Sequence, residues 1–272
     1  MLHIKNISQG GTAIDFRICT LASGSKGNCV YIEGGGTRIL VDAGLTMRET
    51  KLRLSLIDVR AEDIDAVIIT HEHTDHIKGV GPLCRAHGIP VYITGQTYTA
   101  ARDWIGKKVV VCEFETGTGF DIKGIRIEPF DIPHDAVNPV GFTFYSGTMK
   151  AGLATDLGYA TTLVIERLKG CNALVLESNH DPVMLKDGPY PWHLKQRVSG
   201  KQGHLSNSDA GRLLEQLLHD GLSHVVLAHI SQVNNMPELA HSASHETLRK
   251  NSCGHIKLYV AGQDAVCGMV EV

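Results

Sequence analysis

Short apolar runs set the rhythm of this chain. Near the start, "DFRICTL", "NCVYIE" and "TRILVDAG" are rich in Val, Ile and Tyr and are separated by glycine turns at Gly24–Gly27 and Gly34–Gly36, the mark of strands joined by tight turns. Met47–Leu56 is predicted as a helix, and "DAVIIT" is a continuous apolar run of strand length. The second part repeats the rhythm. "IRIEPFDIPH", "VGFTFYS" and "MKAGLATD" read as strands, "YATTLVIERLK" as a helix and "NALVLES" as a strand. Asn207–His219 is the clearest helix. Apolar residues at 210, 213, 214, 217 and 218 line one face, with Ser206 the expected N-cap and Gly221 the expected C-cap. "HVVLAH" reads as a buried strand and Pro237–Lys250 as a helix, and "HIKLYVAG" with "AVCGMVEV" closes the chain in β. Strand clusters alternating with helices predict an α/β protein whose sheets are covered by helices. No linker-like stretch, short repeat or low-complexity segment divides it, so one domain over 1–272 is expected.

Composition narrows the class. With 272 residues, 43% of them hydrophobic, and a formal charge of −3, the chain can bury a substantial core. Sparse aromatics and 29 glycines point to a loop-rich protein. No apolar stretch approaches the ~20 residues of a membrane helix. The opening "MLHIKNISQGGTAIDF" has no signal-peptide pattern, so a cytoplasmic location without membrane contact is expected. Cysteines 19, 29, 84, 112, 171, 253 and 267 are odd in number and never spaced CxxC. Buried reduced thiols are therefore expected in place of a disulfide framework or a cysteine-zinc knuckle.

Chemistry concentrates in "THEHTDHIKGV", Thr70 to Val80, where three histidines and two carboxylates fall between His71 and His76. A helix would point residues two apart to opposite sides, whereas an extended segment gives them one side. A loop leaving a strand can thus aim His71, His73 and Asp75 into one pocket, while His76 faces a neighbouring ion. Imidazoles with carboxylates and no thiolates suit zinc, manganese or iron in an open site. A solvated polar loop is the usual reading of one or two histidines. Three in six residues, from 15 in the whole chain, favour a metal.

HxHxDH after an apolar strand, with Gly79 close behind, resembles the metallo-β-lactamase superfamily. The resemblance implies a four-layer αββα sandwich with a two-metal site along the sheet edges. It also supplies the remaining positions in family order: Asp42 in "LVDAG", His134 in "FDIPHD", Asp156 in "ATDLG" and His229 in "LAHIS". By resemblance one divalent ion (Zn²⁺, Mn²⁺ or Fe²⁺) is held by His71, His73 and His134. The second is held by Asp75, His76 and His229, with Asp156 bridging and Asp42 accepting an imidazole N–H behind the ligands. Taken singly each position has a plainer reading: Asp before Gly is a common turn former, and His134 and His229 could be a loop and a strand-end histidine. His241 and His245, four apart in "HSASH", lack a zincin glutamate and read as helix-surface residues.

"LASGSKGNCVYI", "LESNHDPVML" with "YPWHLKQR", and "GHLSNSDAGRLL" together look like the YycJ (WalJ) branch of these metallo-hydrolases, from about Phe16 onward, with 1–15 as an N-terminal extension. That branch implies 5′-to-3′ exonuclease activity on double-stranded DNA. The order Glu177, His204, His229 also resembles RNase Z and the cyclic phosphodiesterases. The catalytic candidates are Asp75, Glu177 and His204, with Glu177 holding a His204 that donates a proton. The plain alternative is that His204 only precedes a helix start. Ser25, His180, Lys195 and Arg197 are the candidate substrate contacts, and His193 and Lys201 extend the same basic cluster. Backbone N–H groups of Ser23–Asn28 are a further, weaker phosphate candidate.

The slight negative charge and scarce stacking aromatics run against a nucleic-acid partner. Only 72 residues lie between Asp156 and His229, too few for a large inserted clamp. DNA binding then relies on a local groove or a homo-oligomer. Two rivals stand: a small-molecule ester, thioester or lactone hydrolase of this fold, which needs no Glu177–His204 pair, and a non-catalytic metal-binding module. A flavodiiron role is disfavoured because that pattern has glutamate where His73 stands.

Overall fold

The computed structural model describes residues 16–272, and the expectation for 1–15 lies outside them. The apolar runs become strands whose alternate residues face different layers. The first half contains β1 (Arg17–Ala22), β2 (Cys29–Gly34), β3 (Thr37–Val41), α1 (Met47–Ser55), β4 (Ala66–Ile68), α2 (Thr74–Ile77), α3 (Val80–His87), β5 (Val91–Thr94), α4 (Gly95–Ile105) and β6 (Val111–Phe114). The second half continues with β7 (Phe120–Ile122), β8 (Ile125–Asp131), β9 (Val140–Ser146), β10 (Met149–Ala154), α5 (Thr162–Leu168) and β11 (Ala173–Glu177). After it come α6 (Pro182–Asp187), α7 (Trp192–Val198), α8 (Asn207–Leu217), β12 (His224–Ala228), α9 (Pro237–Lys250), β13 (Lys257–Val260) and β14 (Val270–Glu271).

Two seven-stranded mixed sheets result, ordered β14-β1-β2-β3-β4-β5-β6 and β13-β12-β11-β10-β9-β8-β7. Strand periodicity explains the layers. In β3, Ile39 and Val41 point into the core between the sheets, where they meet Phe142, Phe144 and Val175 of the other sheet. Leu40 points outward to Leu54, Leu83 and Ile105 of the covering helices. In β11, Val175 faces the inter-sheet core, while Leu174 and Leu176 face Leu213, Leu214 and Leu248 of α8 and α9. Strands buried on both faces need continuous apolar runs, as in "ALVLE" and "HVVLA". The architecture is the expected four-layer αββα sandwich. Among the described residues no helix is long and apolar enough to cross a membrane.

Some local expectations need correction. Gly221 does not cap α8: the helix stops at Leu217, and Leu218 turns extended with ψ 131°. Ser206 does cap its start, accepting the Asp209 N–H. At the C-terminus only Val270–Glu271 pairs as strand. Cys112, Cys253 and Cys267 are half-buried, unlike the other four cysteines. His241 and His245 are exposed on α9 with their rings stacked.

Candidate metal centre

The polar residues gather where parallel strands end, the edge at which open α/β sheets present ligands. Asp42 follows β3, His71 and His73 follow β4, His134 follows β8, Asp156 follows β10, Glu177 ends β11 and His229 follows β12. Asp42, Asp156 and His229 turn the chain with φ of 61°, 59° and 57°. Left-handed backbone costs a non-glycine residue roughly 1–2 kcal/mol, and such strain collects at functional sites. The turn at each strand end aims the side chain along the sheet edge.

Half of the HxHxDH stretch is not extended. His71 and His73 leave β4 in a loop, but Asp75 and His76 lie in the single turn of α2. The helical turn brings the His76 ring back to 4.0 Å from that of His71. It also groups Asp75 with His76 and His229, not with His73. Two glycines let the motif seat: a Cβ on Gly44 would lie 1.6 Å from the Asp75 carbonyl oxygen, and one on Gly79 1.9 Å from that of Leu45.

Hydrogen bonds define the imidazole tautomers. Asp42 accepts the Thr70 N–H (2.9 Å) and the Thr70 hydroxyl (2.8 Å), and its Oδ2 lies 2.7 Å from His76 Nδ1. The Thr70 Oγ1 is thereby left to accept from His71 Nδ1 at 2.9 Å. One carboxylate thus orients His76 directly and His71 through Thr70. Opposite it, Glu177 Oε1 lies 2.8 Å from Nδ1 of both His204 and His229, while Oε2 accepts the N–H groups of Leu157 and Leu205. His134 Nδ1 donates to the Gly203 carbonyl at 3.3 Å. In His71, His134 and His229 the Nε2 lone pair is left facing the centre, while His76 Nε2 meets the Asn28 amide at 2.9 Å.

The titration of these groups follows from burial against neighbouring charge. Burial pushes His71 well below its usual value, and it lowers His134 as well. Burial also works against a charged His76, but Asp156, Asp42 and Asp75 outweigh it and hold that ring up at about 10. His229 behaves alike: Asp156 and Glu177 overcome burial and raise it to about 9. Burial opposes the Asp156 charge, yet His229, His76 and His71 keep the carboxyl well below the carboxylate range. Burial opposes the Glu177 charge too, and His204 and His229 bring it down to about 2. The centre favours positive charge, whether carried by protons or by metal ions.

The donor set fits divalent metal. His73 Nδ1 lies 3.0 Å from His71 Nε2 and 3.3 Å from His134 Nε2, so three ring nitrogens converge, and the two Nε2 atoms both present lone pairs toward His73 Nδ1. His229 Nε2 and Asp156 Oδ2 are buried without a hydrogen-bond partner, a costly state that a cation would relieve. Donor atoms within 4.8 Å of one another form the groups His71–His73–His134, Asp75–His76–His229, His71–His76–Asp156 and Asp156–Glu177–His204–His229. Asp156 belongs to two of these groups, between the first and the second.

The centre opens into a cleft of about 410 Å³ that includes Ser25, His73, Asp75, Asp156, Arg197 and His204. Ser25 and Arg197 are therefore at the site. His180 and Lys195 are not: they line a separate cavity beyond α7. The Ser23–Asn28 loop is no phosphate cradle either. The N–H groups of Ser23, Gly24, Lys26, Gly27 and Asn28 are all taken by protein acceptors. It braces the centre instead: the Ser23 hydroxyl accepts the His229 N–H at 2.6 Å, and Asn28 Nδ2 lies 2.9 Å from His76 Nε2. Sequence reasoning missed Thr70, Asn28, Asn179, which donates to the His229 carbonyl, and Asp135, whose carboxylate holds Arg197 Nε at 2.5 Å. Of these only Asp135, beside His134, carried a signal.

Fold and sequence agree on the class: residues 37–230 match the family model of the beta-lactamase superfamily domain, and the chain belongs to that superfamily. More particularly, it is 38% identical over 237 residues to exodeoxyribonuclease YycJ of Bacillus anthracis, covering 86% of this chain and 89% of that protein. It is 35% identical over 266 residues to exodeoxyribonuclease WalJ of Streptococcus pneumoniae, covering 95% and 99%. Among solved structures, the metallo-beta-lactamase fold protein YhfI of Bacillus subtilis superposes with a TM-score of 0.69 at 18% identity, over 93% of this chain and 100% of that one. The fold implies divalent metal, and the histidine–aspartate groups are where it would bind.

Proposed function

We propose that the chain is a two-metal phosphodiesterase acting on DNA, an exonuclease that degrades duplexes from the 5′ end. The similarity to proteins named exodeoxyribonuclease supports the substrate class. The observation that carries the reaction class is the Glu177–His204 pair, 2.8 Å apart and opening on the cleft beside Asp156 and His229. A thioester hydrolase expels a thiolate, which leaves without a positioned proton donor, whereas the sugar alkoxide leaving from DNA needs one.

His71, His73 and His134 would hold one ion, Asp75, His76 and His229 the other, and Asp156 both. When bound, such ions neutralise phosphate charge and lower the pKa of a water. Asp42 and Thr70 keep His71 and His76 in the tautomer whose lone pair faces the cleft. Asp75, half-open to the cleft, is placed to accept the proton of the attacking water. Glu177 accepts from His204 Nδ1 and fixes the ring, so that Nε2 can deliver a proton to the leaving oxygen. Arg197 offers its guanidinium to a non-bridging phosphate oxygen once Asp135 releases it, and Ser25 lies on the same rim.

The test incubates metal-loaded protein with end-labelled duplex DNA, RNA and bis(p-nitrophenyl) phosphate, alongside elemental analysis. We expect two ions per chain of Zn²⁺, Mn²⁺ or Fe²⁺ and shortening of the DNA from one end. Turnover of esters or lactones with no phosphodiester cleaved would overturn the reading.

A further inference from the structure

The two residues that the metal cleft excludes, His180 and Lys195, define a second place of interest. They line a cavity of about 230 Å³ between α6 and α7, together with Leu185, Lys186, Trp192 and Gln196. That is below the roughly 300–1,000 Å³ of a drug-sized ligand's site and suits a single ring system. Three observations point to its occupant.

First, Trp192 is 71% exposed, the most exposed large hydrophobic side chain among the described residues. In a chain with two tryptophans and few other aromatics, an indole left in water at a cavity mouth is a stacking surface without a partner. Second, the His180 ring is only 3% exposed, and its Nδ1 is buried with no hydrogen-bond partner. Its backbone is pinned by pairing with Ser206 and by the Asn207 N–H, which holds the residue at the cavity wall. A polar group in that state marks a place where a ligand or water supplies the bond. Third, a neighbouring groove leads from the cavity's edge toward the metal centre. Gln196 is shared with a groove running past Tyr159, Lys201 and Arg197 to Pro133 and Asp135, beside His134. Lys186 and Lys195 on the cavity rim complement a phosphate backbone following that groove.

We propose that this cavity is a nucleobase subsite: an unpaired base of the strand engaged at the metal centre stacks on Trp192 and hydrogen-bonds to His180. The proposal rests on the nuclease reading above and names a determinant of how that substrate is gripped. Single-strand character near the cleaved end would then matter, because a base held in the duplex cannot enter.

The experiment uses the metal-loaded full chain and two end-labelled duplexes with short 5′ overhangs, identical except that one overhang is abasic. Stacking of a base on an aromatic side chain contributes enough that Trp192→Ala should raise KM on the base-containing overhang about tenfold relative to the abasic one. Trp192→Phe should recover most of the difference, and His180→Leu should flatten preferences among dA, dC and dT overhangs. Equal KM changes on both overhangs, or none on either, would overturn the subsite while leaving the nuclease reading intact. A parent protein that sediments as a dimer, with Trp192→Ala a monomer, would assign the cavity to a second copy of the chain and also overturn it. A parent that cleaves bis(p-nitrophenyl) phosphate but no oligonucleotide removes the nuclease reading and the subsite with it.

Discussion

Asp42 and Glu177 occupy corresponding positions on the two sheets, each a buried carboxylate at a strand end orienting two histidines, and they differ in what those histidines do. Asp42 serves His76 directly and His71 through Thr70, both candidate metal ligands. Glu177 serves His229, a candidate ligand, and His204, which sits partly open to the cleft. On the proposed reading, the same device would fix metal on one side of the centre and couple metal to proton transfer on the other. Glu177 is also the more fully engaged, with two backbone N–H groups on its second oxygen. It cannot move without disturbing both histidines.

Removing the residue between the two sides should have the largest effect. Asp156 lies 3.4 Å from His76 and 3.3 Å from His229. Asp156→Ala should reduce phosphodiester cleavage to background and lower the bound metal. Parent-like turnover with full metal content would mean that Asp156 joins nothing. Next, His204→Ala should lower kcat on DNA by about 10²–10⁴-fold while both ions stay bound. An aryl phosphodiester, whose leaving group needs no proton, should suffer far less. Loss of an ion in this variant would make His204 a ligand and break the contrast with Asp42.

The two orienting carboxylates can be compared directly. Replacing an outer partner of a metal-bound histidine typically costs about 10–100-fold in metal affinity or activity. Asp42→Asn should show that loss in metal affinity and affect aryl and DNA substrates alike. Glu177→Gln should weaken metal through His229 and, in addition, penalise DNA more than the aryl ester through His204. If both variants show the same substrate ratio, Glu177 acts only as a second Asp42.

The first sheet's contribution was the more legible in the sequence, for a physical reason. His71, His73, Asp75 and His76 are neighbours in the chain, so a single loop and helical turn deliver them together. His134, Asp156, Glu177 and His229 come from separate strand ends and stand out only through their order. Thr70, Asn28 and Asn179 are ordinary polar residues whose partners lie elsewhere in the chain, and no local pattern marks them. Lys195 lies away from the metal cleft because a basic run on a helix does not share one face, and His180, held ahead of α6 by its pairing with Ser206, faces the same cavity as Lys195. Lys195 and Arg197, two apart on α7, point to opposite sides, one into the cavity between α6 and α7 and the other into the metal cleft. Helices α3 and α4 escaped notice because Gly81 with Pro82, and the threonines of "GQTYTAARDWI", are weak helix formers. Both are held by packing on the first sheet.

The smallest expected effect separates a hydrogen-bond relay from mere packing at Thr70. The side chain is buried, and its hydroxyl donates to Asp42 while accepting from His71. Thr70→Val keeps the shape and the backbone N–H to Asp42 but removes the relay, leaving the His71 Nδ1–H without an acceptor. An unpaired buried polar group costs about 1–3 kcal/mol. The His71 ring can avoid that cost by shifting its proton to Nε2, the nitrogen that faces His73 and would have to bind metal. Metal loading must then reverse the shift. Thr70→Val should accordingly weaken Zn²⁺ binding by about tenfold, near the low end for such partners, when measured by competition with a chelator. Thr70→Ser keeps the hydroxyl and should bind Zn²⁺ like the parent. Equal weakening in both variants would assign the effect to the lost methyl group and its packing, and equal affinity in all three would show that Asp42 holds His71 in place without the Thr70 hydroxyl.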